Sequence, residues 1–200
     1  MKAQECIAIF NKAISNYHIA DNVDTNIQNP FEQGSIEALM YLKNWIDTVQ
    51  WHLEDIIRDP KIDLQKGMEI KRRIDHSNQN RTDTVEHIDD YYIELFKNVV
   101  PNTNVTINTE SPAWVVDRLS ILCLKIYHMQ EQVDRQDAAP EHLKKCQDKL
   151  NILLEQQADL TASFDQLLED FASGNKKIKV YRQMKMYNDD SLNPVLYKKK

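Results

Sequence analysis

Two stretches of this 200-residue chain place apolar residues at alternating steps of three and four over about thirty-five residues each. Only a long α-helix puts such a pattern on one side. The first runs from Asp63, its predicted N-cap, to Val99, and its stripe reads Lys71, Ile74, Asn78, Arg81, Val85, Ile88, Tyr92, Leu95, Val99. Lys71 can end the stripe by reaching water through its stem, so only Asn78 and Arg81 interrupt the apolar interior. The second runs from Pro140 to Gly174 through Leu143, Cys146, Leu150, Leu153, Gln157, Leu160, Phe164, Leu167 and Phe171, a heptad seam with one polar insertion. At 1.5 Å per residue each helix is on the order of 50 Å long. Matching length and matching seams predict an antiparallel pair within a bundle.

The rest of the chain fits around that pair. Three glycines and six prolines are too few for a turn-rich β fold. A first helix is predicted over Ala3–Tyr17, from Ile7, Phe10, Ile14 and Tyr17. A second begins at the N-cap Ser35, carries the stripe Leu39, Leu42, Trp45/Ile46, Val49, Leu53, Ile56/Ile57, and stops at Pro60. A fourth opens on Ser111-Pro112. Its run "WVVDRLSILCLKIYHM" is apolar on nearly all sides, which makes it the most buried helix. The expected fold is an all-α bundle of about five helices over residues 1–174. A basic C-terminal arm, residues 175–200, would follow: partly extended, turning at Asn193-Pro194 and ending in an apolar plug of Val195, Leu196 and Tyr197. Eight Lys/Arg against two acids give that arm +6, so with a chain total of −6 the body carries −12. Such a distribution lets the arm lie on its own body, or bind an anionic partner.

Several function classes drop out. Three widely spaced cysteines, Cys6, Cys123 and Cys146, make neither a disulfide framework nor a zinc knuckle. The start "MKAQECIAIF" lacks the features of a secretion signal, and no apolar run approaches the ~20 residues of a membrane span; a cytoplasmic location is expected. Phosphate loops, dinucleotide fingerprints, H-E-x-x-H and G-x-S-x-G are absent. None of the six histidines has a glutamate three residues before it, which removes the signature of di-iron bundles. No helix carries a basic aromatic stripe, so nucleic acid is not the expected partner. Long helical seams are compatible with a homodimer.

What remains is a set of charged residues on or beside apolar stripes. Asp75, Asn78, Thr82, Glu86 and Asp89 line one edge of the third helix, and Arg118, Lys125 and His128 share a face of the fourth. Unpaired burial would cost several kcal/mol each, so they must pair, hold a ligand or face water. One expectation is a structural salt-bridge network that fixes helix register. The other is a site. Asn78, Arg81, Arg118, Lys125 and His128 would bind a phosphorylated small molecule, with Arg supplying bidentate bonds. Asp55, Asp75, Glu86 and Asp89 would hold Mg²⁺ or Mn²⁺, which prefer oxygen ligands.

Glu86-x-x-Asp89 resembles half of the metal motif of all-α nucleotide pyrophosphohydrolases. In "EDIIRD", however, Glu54-Asp55 is followed by Arg58 where the motif has a third glutamate. "RTDTVEHIDDYYIELF" is similar to the first helix of all-α chorismate mutases, through Arg81, Ile88-Asp89 and Leu95. Four separated phrases, "WHLEDIIRDP", "KRRIDHSNQNRTDTVEHIDDYY", "DRLSILCLKIYHM" and "VYRQMKMYNDDSLNPVLY", together resemble the bacterial family catalogued as domain of unknown function 4254. Asp190 stands where the family's tail pattern has proline. That resemblance implies a helical protein working near nucleotide-sugars or phosphorylated glycans in surface-polysaccharide assembly. It supplies no catalytic residue. The readings carried forward are a ligand-binding protein, a divalent-metal-dependent pyrophosphohydrolase-like enzyme and a non-enzymatic scaffold or adaptor.

Overall fold

The computed structural model describes residues 1–184, 186 and 189–197. It contains α1 (Ala3–Ala20), α2 (Ile36–Ile57), α3 (Leu64–Phe96), α4 (Pro112–Val133), α5 (Pro140–Ala172) and a one-turn α6 (Pro194–Tyr197). No strand occurs among the described residues, and no helix there is long and apolar enough to cross a membrane.

The helix starts follow local chemistry. Ser35 accepts from Ala38 N, and Asp63 accepts from Gln65 N and Lys66 N. The start of α4 is handled differently. Ser111 makes no cap with its own helix and donates instead to Asp89 Oδ2 of α3 at 2.7 Å, while Asp89 Oδ1 accepts from Ala113 N at 3.1 Å. A carboxylate from a neighbouring helix thus supplies the cap, where the helix dipole favours negative charge. Gly174 follows the last turn of α5 at φ +71°, the left-handed cap position. A Cβ there would meet Val100 O at 2.8 Å, so only glycine fits.

Central α4 packs against all four other long helices. The two longest helices are not each other's antiparallel partner, as their seams predict. Tyr92 meets Phe164 and Phe96 meets Phe171, so α3 and α5 run in the same direction. Each is antiparallel to α4: Arg81 and Asp89 of α3 reach Asp117 and Ala113, and Gln157 of α5 donates to Cys123 Sγ. The apolar α4 absorbs both seams, and this sets their relative direction. The main core gathers Phe10, Tyr17, Tyr41, Ile88, Tyr92, Leu119, Leu124 and Phe164. A smaller one, Leu53, Ile70 and Ile74, closes the far end of the α2–α3 pair.

Residues 175–184 are without helix and lie along the body. Lys177 N donates to Thr106 O, Gln183 N donates to Glu86 Oε1 at 3.0 Å, and Arg182 pairs with Asp90. The expected apolar plug does not form: Val195, Leu196 and Tyr197 are at least half exposed. Asn193 and Pro194 instead start the turn of α6, with Asn193 Oδ1 accepting from Val195 N. Four of the arm's basic residues, Lys185, Lys198, Lys199 and Lys200, fall outside the described residues.

Candidate functional site

Arg81, the cation that breaks the α3 stripe, is held by Asp117 of α4. Its Nε donates to Asp117 Oδ1 at 2.9 Å and its Nη2 to Oδ2, the bidentate fork. Behind this pair, Lys43 of α2 is completely buried; it reaches Asp117 Oδ1 at 3.0 Å and also pairs with Asp47, one turn along its own helix. Ser120 donates to Asp47 Oδ2 at 2.6 Å, and Asn44 donates to Ser120 Oγ at 3.0 Å. Asp47 Oδ1 lies 3.4 Å from Arg81 Nε but accepts no hydrogen bond among the described residues. Two cations and two carboxylates cancel, the condition under which buried charges are tolerated.

The two carboxylates respond in opposite senses. Burial pushes Asp47 above the ordinary aspartate range, against the opposing pull of Lys43. Burial would also raise Asp117, but Lys43 and Arg81 together hold it below that range. Burial disfavours the charge on Arg81, and its bonds to Asp117 more than offset this.

Arg81 is 30 % exposed, and its exposed edge forms one end of a cleft of about 780 Å³ between α4 and α5. Arg118 and Lys125 line the same cleft; Glu155, Asp159 and Gln156 face them from α5, over an apolar floor that includes Ile121 and Leu160. The cleft opens where the α5 seam is only half buried, from Leu153 to Leu160. Arg118 also pairs with Glu110, whereas Lys125 has no ion pair among the described residues. A groove of about 560 Å³ continues past Lys125 to His128 and Trp51. Both volumes fall within the range of small-molecule sites.

Three of the five expected ligand-binding residues, Arg81, Arg118 and Lys125, therefore share one cleft, and His128 borders the adjoining groove. Asn78 is elsewhere: its Oδ1 accepts from Gln50 Nε2 at 2.9 Å, a clamp between α2 and α3. The four expected metal carboxylates are not gathered. Asp55 is exposed beside the groove, Asp75 pairs with Lys71 at the surface, Glu86 receives the arm and Asp89 caps α4. From the Gln50–Asn78 contact, Asp55 and Glu86 lie in opposite directions along an antiparallel pair, roughly 20 Å apart at 1.5 Å per residue. These residues therefore do not fit a single Mg²⁺ or Mn²⁺.

Two features escape the stripes. One is the Lys43–Asp47 pair, which sits where α2 touches α1, α3 and α4 at once and has no single buried face. Met40, Tyr41, Asn44 and Thr48 are buried while Leu39, Leu42, Ile46 and Val49 are only half buried, a rotation from the expected stripe. The i, i+4 spacing of Lys43 and Asp47 among bulky apolar residues is the signal that marks them. The other is a trio of histidines, His18, His52 and His128, from α1, α2 and α4. Burial, and then the neighbouring His18, hold His52 below the ordinary histidine range. All three cysteines are buried and free of disulfides, and burial pushes the Cys6 and Cys123 thiols up to about 12.

Residues 37–180 match the family described as Protein of unknown function (DUF4254), more than half of the chain. No curated protein and no solved structure matches the chain. The chain belongs to that family.

Proposed function

We propose that this family member binds a phosphorylated or nucleotide-linked ligand in the cleft between α4 and α5. The observation that carries the reading is the convergence of Arg81, Arg118 and Lys125 on one cavity of about 780 Å³. Arg81 is pre-oriented by its fork to Asp117, so an anion meets a guanidinium that has little conformational freedom left to lose. The opposite wall supports a ligand of two characters. Cations would hold phosphate oxygens, and Glu155, Asp159 and Gln156 would accept bonds from sugar hydroxyls. Nucleotide-sugars and sugar phosphates have both characters, and surface-glycan assembly is the setting we propose for them. The pyrophosphohydrolase-like reading has less support, because the carboxylates it needs lie at different places on the bundle.

Calorimetry against a panel of sugar phosphates and nucleotide-sugars tests the proposal. At least one should bind, and Arg118→Ala and Lys125→Ala should each weaken it roughly tenfold, the loss of one charge-assisted bond. Silence across the panel, or binding that neither substitution touches, overturns it.

A further inference from the structure

The histidine trio is placed by three helices. His18 sits in the last turn of α1, which runs past Tyr17 to Ala20 and stops at Asp21 in the left-handed conformation, φ 46°. His52 projects from α2 and His128 from α4. One ring nitrogen of each lies within 4.8 Å of one ring nitrogen of both others. His18 Nε2 and His52 Nε2 are 3.2 Å apart. Two imidazole nitrogens on one tetrahedral zinc, at 2.0–2.1 Å each, stand about 3.3 Å apart.

Hydrogen bonds fix which nitrogens carry lone pairs in His18 and His128, while the His52 Nε2–His18 Nε2 contact leaves either tautomer open to His52. His18 Nδ1 faces Ile14 O at 2.7 Å; a carbonyl only accepts, so the proton is on Nδ1 and Nε2 is left as a donor atom for a metal. His128 Nδ1 faces the Glu131 carboxylate at 2.8 Å, which assigns its proton in the same way. His128 Nε2 is buried with no hydrogen-bond partner among the described residues. A histidine whose other nitrogen is tied to a carbonyl or carboxylate is the arrangement that orients metal ligands. The rings are also walled in by aromatics. Tyr17 stacks on His52 at 5.0 Å, Trp51 stacks on His128 at 4.9 Å, and Tyr127 packs on His18 at 4.4 Å. Asp21 Oδ1 stands 3.8 Å from His52 Nε2, at the open side of the trio.

We propose that His18, His52 and His128 bind one divalent transition metal of the zinc class, with Asp21 or water as the fourth ligand. Three imidazoles and one carboxylate favour zinc, cobalt, nickel or copper over magnesium or calcium. The proposal does not depend on the anion cleft.

The test uses the full chain, stripped with chelator and titrated with Zn²⁺ by calorimetry and with Co²⁺ by visible absorption. One equivalent should bind, Co²⁺ should give the intense bands of a tetrahedral site, and the thermal midpoint should rise with added Zn²⁺. His52→Gln and His128→Gln should each lose roughly a hundredfold or more in affinity, and Glu131→Gln roughly tenfold, since outer-shell partners alone account for 10–100-fold. His76→Gln, on the exposed part of α3, should change nothing. The proposal is overturned by the lack of a 1:1 isotherm, by an octahedral Co²⁺ spectrum, or by equal weakening from His76→Gln. The wild-type cobalt spectrum decides even if a variant fails to fold.

Discussion

The bundle encloses two polar clusters, and they differ in how their groups are satisfied. In the Lys43–Asp47–Asp117–Arg81 network the charges cancel, and all but one of the carboxylate oxygens accept a hydrogen bond. In the His18–His52–His128 trio, His18 Nε2 and His52 Nε2 face each other with at most one proton between them, and His128 Nε2 is buried with no hydrogen-bond partner among the described residues. The first cluster balances its charges from its own side chains. The second has no charge of opposite sign within it and leaves lone pairs that a group accepting electron pairs could use. The contrast separates a polar group that locks helices together from one arranged to receive a guest.

Removing one member of the charge-balanced cluster should have the largest effect. Lys43→Met leaves two carboxylates buried against each other and should cost about 3–5 kcal/mol in urea unfolding. Lys43→Met combined with Asp47→Leu should recover most of that loss, because a neutral pair of similar volume is tolerated. If the single variant is as stable as wild type, the network does not hold the bundle.

A smaller effect should be visible in pH. Asp117 is held below the ordinary carboxylate range, so its contribution is present above that range and is lost as pH falls through its folded pKa. Asp47 is raised, so the folded state binds the extra proton, and stability declines as pH rises from the ordinary range through its folded pKa. Arg81, raised by its bonds to Asp117, stays charged throughout. Urea midpoints measured from acid to neutral pH should show Asp117→Asn flattening the acid limb and Asp47→Asn removing the opposing slope. Slopes of the same sign for both would contradict the assignment.

Without metal, His128→Gln should cost only about 1 kcal/mol, one ordinary hydrogen bond to Glu131. A loss as large as that of Lys43→Met would make the two clusters alike. Smallest of all, Arg118→Ala should change stability by no more than about 0.5 kcal/mol, since the residue is exposed. A larger loss would move it from the cleft wall into the scaffold.

Much of this is legible in the sequence. Caps, prolines and 3–4 spacing place all five long helices, because each of those signals acts within a few residues. Arg81 is legible because a guanidinium in an apolar stripe has to be explained, and Arg118 and Lys125 because they share its neighbour's face. Lys43 and Asp47 are hidden by the opposite circumstance: on a helix covered from three sides, the stripe loses its phase. The dispersed carboxylates mislead for a related reason, since spacing along α3 says nothing about which neighbour each will face. The histidine trio has no sequence signature. Its members are far apart in the chain, and His18 joins only because Asp21 ends α1 one turn later than the apolar pattern does.

The Asp89 grip on α4 has a consequence for how this chain could change over time. Because α3 fixes where α4 begins, the stretch between Thr106 and Ser111 is relieved of setting the register. Length added there costs chain entropy alone, about 0.6 kcal/mol for each doubling of the loop. Insertions that would shear the helices elsewhere should be absorbed at this point, beside the cleft mouth at Glu110 and Arg118. Ligand preference could therefore drift there without refolding the bundle.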